Sequence, residues 1–191
     1  MDSKLQIISG IYHGRKLKLP PNARPTQNRA RIALFNMLES GIITSDADIR
    51  VWDAFGGSGA FGLECVSRYP NAVVSFTDIA PTDIAPTSIK TICDNLKKLG
   101  GDSRASVIQS DAIAAIGRLG ANADVVFVDA PYDNADLGRA FVKKLGVVAK
   151  TGAILIWEQE STNFVPIDEN LWDVLRDKTY GRARFLILEK K

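Results

Sequence analysis

The sequence is short of the residues that several kinds of site require. Its 191 residues include one histidine, His13, and two cysteines, Cys65 and Cys93. A Ser-His-Asp triad or a histidine-rich metal centre has little to be built from, and a disulfide framework or cysteine-rich zinc site is excluded. So few cysteines fit a reducing cytosol, so we expect a cytoplasmic protein that binds no metal.

Long apolar runs are also missing. No stretch approaches the roughly 18 apolar residues of a membrane span, and the opening MDSKLQIISG lacks the apolar segment of a signal peptide. We therefore expect no membrane association. The hydrophobic fraction of 46% and the charged fraction of 24% are ordinary for one globular domain. Nothing in the sequence argues against a monomer, which is the expected state.

Basic charge is concentrated near the N-terminus. Residues 1–40 contain seven Lys and Arg residues against two acidic residues, a net charge of +5, whereas the whole chain carries +2. This asymmetry favours a polyanionic partner bound through a basic arm, although a solvated basic surface explains the charge alone equally well.

Two hydrophobic patterns divide the chain into an N-terminal extension, residues 1–40, and a larger domain, residues 41–191. Residues 5–20 predict a small β hairpin, and residues 27–39 predict an amphipathic helix with Thr26 as its N-cap. Beyond residue 49, runs of Val, Ile and Phe alternate with helical segments. This predicts an α/β fold with a mostly parallel, doubly wound sheet. Strands are expected at 50–55, 72–76, 105–109, 123–128 and 153–157, helices at 60–69, 86–99, 111–119 and 135–149, and a final antiparallel pair at 171–180 and 182–189.

A glycine-rich turn follows the first predicted strand and opens a helix. Gly57, Gly59 and Gly62 form a GxGxxG pattern, in which glycine lets the backbone approach a ligand closely. Asp78 follows Gly57 by 21 residues, at the end of the second predicted strand, where a carboxylate can bind ribose hydroxyls. The spacing predicts an adenosine-type cofactor and leaves open a dinucleotide or S-adenosylmethionine.

Two further carboxylates favour S-adenosylmethionine. Asp53, at the end of the first strand, can face an ammonium group but would repel the pyrophosphate of NAD. Asp111, after the third strand, can accept a hydrogen bond from an adenine amino group. It is equally plausible as the N-cap of its helix, and the two roles are compatible.

A tandem duplication makes the ribose-binding carboxylate ambiguous. Residues 77–81 read Thr-Asp-Ile-Ala-Pro, and residues 82–86 repeat them. Counting forward from the glycine turn selects Asp78, whereas counting backward from Asn95 selects Asp83. We favour Asp78 because it directly follows the strand that fixes its position.

The motif Asp129-Ala130-Pro131-Tyr132 ends the fourth predicted strand. It suits methylation of an exocyclic amine, whose conjugated nitrogen is a poor nucleophile. The Asp129 carboxylate and the Ala130 carbonyl can accept the two N–H bonds, and Tyr132 can stack on the base. Pro131 restricts Ala130 to an extended conformation and so helps to aim its carbonyl.

Together these motifs resemble those of a known family. Asp53-x-Phe55-x-Gly57-Ser-Gly59 and Asp129-Ala130-Pro131-Tyr132 are similar to the motifs of class I S-adenosylmethionine-dependent methyltransferases that carry (Asn/Asp)-Pro-Pro-(Tyr/Phe). The segments 8–17 and 24–38, which include Arg24-Pro-Thr and Arg29-x-Arg31, look like the RsmD family. Those enzymes methylate the N2 amine of a guanine in bacterial 16S rRNA.

The resemblance implies a Rossmann-like methyltransferase fold and a role for each motif. The expected substrate is an unpaired guanine in 16S rRNA, in an assembled or assembling 30S subunit. The guanine would be presented by the Asp129–Tyr132 motif. The residues implied to bind S-adenosylmethionine are Asp53, Phe55, Gly57, Gly59, Asp78, Asp111 and Ala112. Those implied to contact RNA are Arg15, Lys16, Arg24, Arg29 and Arg31.

The chain also departs from the family pattern, and rival functions stay open. Ala130 replaces the first proline of the catalytic motif, and Ile32 replaces a usual glutamate. One alternative is a methyltransferase acting on a DNA adenine or a protein glutamine, and another is an rRNA-binding assembly factor that has lost catalysis. An NAD-dependent oxidoreductase is disfavoured by Asp53 and by the position of His13 outside the strand-end crevice.

Overall fold

The structure is a computed structural model that describes residues 5–20, 28–79 and 88–191. Its strands are β1 (Arg50–Asp53), β2 (Val73–Asp78), β3 (Ala105–Gln109), β4 (Val125–Val128), β5 (Ile154–Glu160), β6 (Trp172–Tyr180) and β7 (Ala183–Lys190). They form a sheet in the order β3-β2-β1-β4-β5-β7-β6. Strands β1 to β5 are parallel, and β7 pairs antiparallel with β5 and β6. The predicted mostly parallel sheet with an antiparallel end is confirmed.

Helices cover both faces of this sheet. They are α1 (Asn28–Glu39), α2 (Ala60–Arg68), α3 (Ser88–Lys98), α4 (Ala112–Ala115) and α5 (Ala135–Val148). Because side chains alternate along a strand, Val125 and Phe127 of β4 pack with α1, α2 and α3. Val126 and Val128 point the other way and pack with α4 and α5. The result is the three-layer, doubly wound arrangement that the sequence predicts.

Residues 5–20 pair as a hairpin through a single antiparallel bridge, Gln6 to Lys16, and do not form the two strands expected from the sequence. The reason is that backbone N–H groups available for a longer strand pairing are hydrogen-bonded to helix α2 instead. The Glu64 carboxylate accepts hydrogen bonds from the backbone N–H groups of Ile8 and Ser9, at 2.7 and 2.9 Å. The hairpin is therefore fastened to helix α2.

The predicted helix at 111–119 is shorter than expected. Only α4 is α-helical, and residues Ile116–Gly120 continue it as a π-helical turn. Gly117 and Gly120 have low helix propensity. A side chain at Gly120 would also come within 2.8 Å of Leu145, so α5 packs directly against this turn.

A stack of aromatic rings fixes α1 above the sheet. Phe61 of α2 lies between Phe35 of α1 and Phe127 of β4, with ring centroids 5.4 and 4.2 Å away. Such pairs contribute about 0.5–1.5 kcal/mol each beyond the burial of their surfaces. The stack holds α1 over the carboxyl ends of the central strands. None of the helices in the described ranges is long and apolar enough to cross a membrane.

Candidate active site

A cleft opens at the carboxyl ends of the central strands, where the strand order reverses between β1 and β4. Ligands of doubly wound sheets bind at this point. Three carboxylates line the cleft: Asp53 at the end of β1, Asp129 directly after β4, and Glu158 near the end of β5. Helix α1 contributes Arg31 and Leu34 to the opposite wall.

The glycine turn between β1 and α2 forms the floor of the cleft. Gly57 has a φ of +53°, which a side chain would strain, and its N–H donates a hydrogen bond to Asp78 Oδ2 at 2.7 Å. Gly62 allows α2 to pack on β2, because a Cβ there would lie 2.3 Å from the ring of Phe76. The motif therefore has the strand–turn–helix context that a cofactor turn requires.

Asn95 holds the turn in place from helix α3. Its buried amide donates hydrogen bonds to the carbonyls of Ser58 and Lys18, at 2.9 and 3.1 Å, and accepts one from the Lys18 N–H at 2.7 Å. One side chain thus joins the glycine turn to the N-terminal hairpin. Asn95 is a polar residue at a buried position of an amphipathic helix. A polar residue at such a position is the signal by which the sequence could have indicated that Asn95 joins these segments.

Asp53 is a buried carboxylate with unused hydrogen-bonding capacity. Its Oδ2 accepts a hydrogen bond from the Gly62 N–H at 3.1 Å, and its buried Oδ1 has no partner among the described residues. Burial, opposed by the Gly62 N–H and reinforced by the charge of Asp78, raises the pKa of Asp53 to about 8. An unpaired carboxylate oxygen beside a glycine turn fits the ammonium group of S-adenosylmethionine.

Asp129 lies near the other two carboxylates of the cleft. Burial raises its pKa well above the usual range, and the negative charges of Glu158 and Asp53 raise it further. Tyr132 donates a hydrogen bond from its hydroxyl to Glu158 Oε1 at 2.9 Å, which connects the motif after β4 to strand β5. A pair of carboxylates in one cleft can accept N–H bonds and take up a proton.

Glu158 is not among the site residues predicted from the sequence. The signal was present: Glu158 is the charged residue that ends the apolar run Ile-Leu-Ile-Trp in β5. It follows the same rule by which Asp53 and Asp129 were selected, namely a polar side chain at the carboxyl end of a parallel strand.

The other motif residues occupy different surroundings. Ala130 is buried, and Pro131 is exposed and precedes the 3-10 turn Tyr132–Asn134. Phe55 lines the cleft and packs edge-on against Phe141, with ring centroids 5.4 Å apart.

Four of the residues predicted to bind the cofactor, Gly59, Asp78, Asp111 and Ala112, are not part of the cleft lining. Asp111 caps α4 by accepting a hydrogen bond from the Ala114 N–H at 2.9 Å, and Ala112 is buried. Gly59, with a φ of +76°, begins α2. The assignments of Asp78, Asp111 and Ala112 to the cofactor stay predictions. Asp83, the alternative to Asp78, is outside the described residues.

The predicted RNA-contacting residues differ in their exposure. Arg15, Lys16 and Arg29 are exposed, and Arg24 is outside the described residues. Arg31 has only 3% of its surface exposed. Arg31 therefore differs from the exposed members of this set, because its side chain lines the cleft, and its assignment to RNA contact stays a prediction.

The strand order and the cleft with its glycine turn and Asp-Ala-Pro-Tyr loop define a class I methyltransferase. Solved structures agree. The chain matches yhhF of Escherichia coli, provisionally described as a methyltransferase, with a TM-score of 0.77 and 29% identity over 99% of each chain. It also matches a Haemophilus influenzae protein provisionally described as a methylase, with a TM-score of 0.74 and 27% identity, over 98% of this chain and 99% of the other.

The sequence comparisons narrow the class to one family. The model of the family named Conserved hypothetical protein 95 matches residues 5–189. The chain is 31% identical to Ribosomal RNA small subunit methyltransferase D of Escherichia coli K12, over 98% of this chain and 91% of the relative. The same-named protein of Haemophilus influenzae is 30% identical, with 97% and 94% covered. The chain belongs to this family, the RsmD family.

Proposed function

We propose that this protein transfers a methyl group from S-adenosylmethionine to the exocyclic N2 amine of an unpaired guanine in 16S rRNA, within an assembled or assembling 30S subunit. The observation that carries the proposal is the placement of Asp129 and Glu158 in one cleft with the glycine turn. The names of the relatives support the rRNA substrate. The target base must be unpaired because an enclosed pocket cannot reach a stacked, paired guanine.

The chain's own residues would supply orientation and a proton acceptor. S-adenosylmethionine provides an activated methyl group on a sulfonium. Asp129 accepts an N–H bond of the amine and so turns the nitrogen lone pair toward the methyl carbon. The nitrogen–carbon bond forms as the carbon–sulfur bond breaks, and the extra proton on nitrogen leaves to Asp129 or to water.

The pair of carboxylates also suits guanine better than adenine. Guanine presents two neighbouring donors, N1–H and the N2 amine, whereas N1 of adenine is an acceptor. Once Asp129 is ionised, the two carboxylates only accept hydrogen bonds, so the site would pair with the guanine edge and would repel adenine N1. The proposed guanine specificity follows from this match of donors and acceptors.

A second cleft beside the first offers a surface for the flanking RNA. Tyr132 and Phe164 both line it. Phe164 is 52% exposed, and the guanidinium of Arg184 lies 3.9 Å from its ring centroid. Exposed aromatic rings and arginine planes are the surfaces on which unpaired bases stack.

The test compares substrates. Purified protein and radiolabelled S-adenosylmethionine are incubated with 30S subunits from cells that lack the enzyme, with naked 16S rRNA, and with double-stranded DNA. We expect stoichiometric labelling of the 16S rRNA in 30S subunits and none of the DNA. Labelling of DNA or of ribosomal protein would contradict the proposal and would instead support a methyltransferase that acts on a DNA adenine or a protein glutamine. Confirmed cofactor binding without labelling of any substrate would support the assembly-factor alternative.

A further inference from the structure

Arg31 has a hydrogen-bonding capacity that the protein does not use. Its side chain is 3% exposed, and only Nη2 is hydrogen-bonded, to the Gln6 carbonyl at 2.6 Å. Its buried Nε and Nη1 have no partner among the described residues. A buried donor without a partner costs about 1–3 kcal/mol, so such a group in a native fold calls for a ligand or water.

The nearest carboxylate does not meet this need. Glu64 Oε2 forms an ion pair with Arg31 Nη2 at 3.8 Å, which is beyond hydrogen-bond distance and leaves Nε and Nη1 unpaired. Glu64 instead accepts three shorter hydrogen bonds, from the N–H groups of Ile8 and Ser9 and from Arg68 Nε, at 2.7, 2.9 and 2.7 Å. Its accepting capacity is directed to the hairpin and to α2.

The position of Arg31 indicates which ligand its unpaired donors would bind. Arg31 lines the same cleft as Asp53 and Gly57. In S-adenosylmethionine the adenine and ribose are neutral, and the sulfonium and ammonium are cationic. The α-carboxylate is therefore its one anionic group, and a guanidinium forms its strongest hydrogen bonds with such a group.

We propose that Arg31 binds the α-carboxylate of S-adenosylmethionine, opposite Asp53 at the ammonium group. This inference rests on the proposed cofactor. The cleft then recognises both charges of the amino-acid end with two buried groups that each have an unpaired atom, Asp53 Oδ1 and the Nε and Nη1 of Arg31. Helix α1 becomes part of the cofactor site, although its position in the sequence suggested RNA contact.

The experiment uses two ligands that differ in the carboxylate-bearing part. Calorimetry measures the Kd of S-adenosylmethionine and of 5′-methylthioadenosine, which lacks the whole amino-acid end, for the wild-type protein and Arg31→Met. We expect at least about a tenfold loss of S-adenosylmethionine affinity, because charged hydrogen bonds are removed, and a change within about twofold for 5′-methylthioadenosine. The matched control is Arg118→Met, an exposed arginine away from the cleft, with both affinities unchanged.

The two ligands separate the possible outcomes. Equal losses for both would show a general collapse of the site and would overturn the proposal. Unchanged binding of S-adenosylmethionine to Arg31→Met would overturn it too, and would assign the unpaired atoms to water. Failure of the wild-type protein to bind S-adenosylmethionine would instead refute the proposed cofactor. Arg31→Lys, which keeps the charge, should recover part of the affinity.

Discussion

The hydroxyl of Tyr132 donates a hydrogen bond to Glu158 Oε1 at 2.9 Å, joining the loop after β4 to strand β5. Burial, followed by the charge of Glu158, raises the pKa of Tyr132, so the hydroxyl stays protonated as a donor. The bond holds the tyrosine ring at the border between the cofactor cleft and the second cleft. Glu158 is thereby linked to the Tyr132 ring by a hydrogen bond and to the Asp129 carboxylate by its charge.

Replacing Asp129 should separate chemistry from cofactor binding. Asp129→Ala removes the acceptor that orients the amine, so we expect methyl transfer to fall by about 10²-fold or more. The Kd for S-adenosylmethionine should change little, because the proposed cofactor contacts lie on the glycine turn and α1. Single-turnover kinetics and calorimetry check the two effects. Retained turnover would remove Asp129 from its assigned role.

Replacing Glu158 should shift the pH dependence of methylation. The charge of Glu158 helps to raise the pKa of Asp129, and the proposed chemistry needs Asp129 ionised. Glu158→Gln removes that charge and keeps an acceptor for the Tyr132 hydroxyl. The acidic limb of the kcat/KM profile should therefore move to lower pH. Glu160→Gln, which removes a carboxylate paired with Arg182 outside the cleft lining, is the control and should leave the limb in place. An acidic limb that does not move in Glu158→Gln would contradict the proposed effect of the Glu158 charge on the pKa of Asp129.

Cofactor affinity should increase with pH. The pKa of Asp53 is raised to about 8, so below that pH the unliganded carboxyl is protonated. Binding an ammonium group requires the ionised form and releases the proton. From pH 8 down to pH 6, the Kd for S-adenosylmethionine should therefore rise by up to about tenfold per pH unit.

Asp53→Asn tests the origin of this slope. The variant has no titrating group at that position, so its Kd should be weaker at pH 8 and nearly independent of pH. Calorimetry in buffers of different ionisation enthalpy counts the protons released on binding. A wild-type Kd that is flat between pH 6 and 8 would show that Asp53 does not ionise on binding.

Phe164 should contribute to binding of RNA and not of cofactor. Its exposed ring lies under Arg184, beside Tyr132. Phe164→Ala removes a stacking surface worth about 1–3 kcal/mol, which would raise KM for the 30S substrate by roughly 5- to 150-fold. The Kd for S-adenosylmethionine should not change. Val174→Ala, at an exposed apolar position on β6, is a control for general surface effects.

Much of the fold could be predicted because each strand carries a strong local pattern. Strand β3 has the predicted bounds, and β1 begins where predicted. The N-terminal hairpin differs because its backbone groups bind Glu64, a residue 55 positions away from Ser9. Sequence patterns over a few residues cannot indicate a hydrogen-bond acceptor that lies so far away along the chain.

The site could be predicted where polar residues directly follow strands, as Asp53 and Asp129 do. Arg31 shows where that approach fails. Its charge suggested a surface position, and only the rotation of α1, fixed by the Phe35–Phe61–Phe127 stack, turns it toward the cleft. Helical spacing alone does not reveal which face a tertiary contact will bury.

The central claim is that this cleft methylates a guanine N2 in 16S rRNA, and the identity of the modified nucleoside tests it most directly. The 30S subunits from cells lacking the enzyme are treated with S-adenosylmethionine and either the wild-type protein or Asp129→Ala. The rRNA is then digested, and its nucleosides are separated and identified by mass spectrometry. We expect one N2-methylguanosine per subunit with the wild-type protein and none with the variant. Methyladenosine, or a methylated base formed equally by Asp129→Ala, would contradict it.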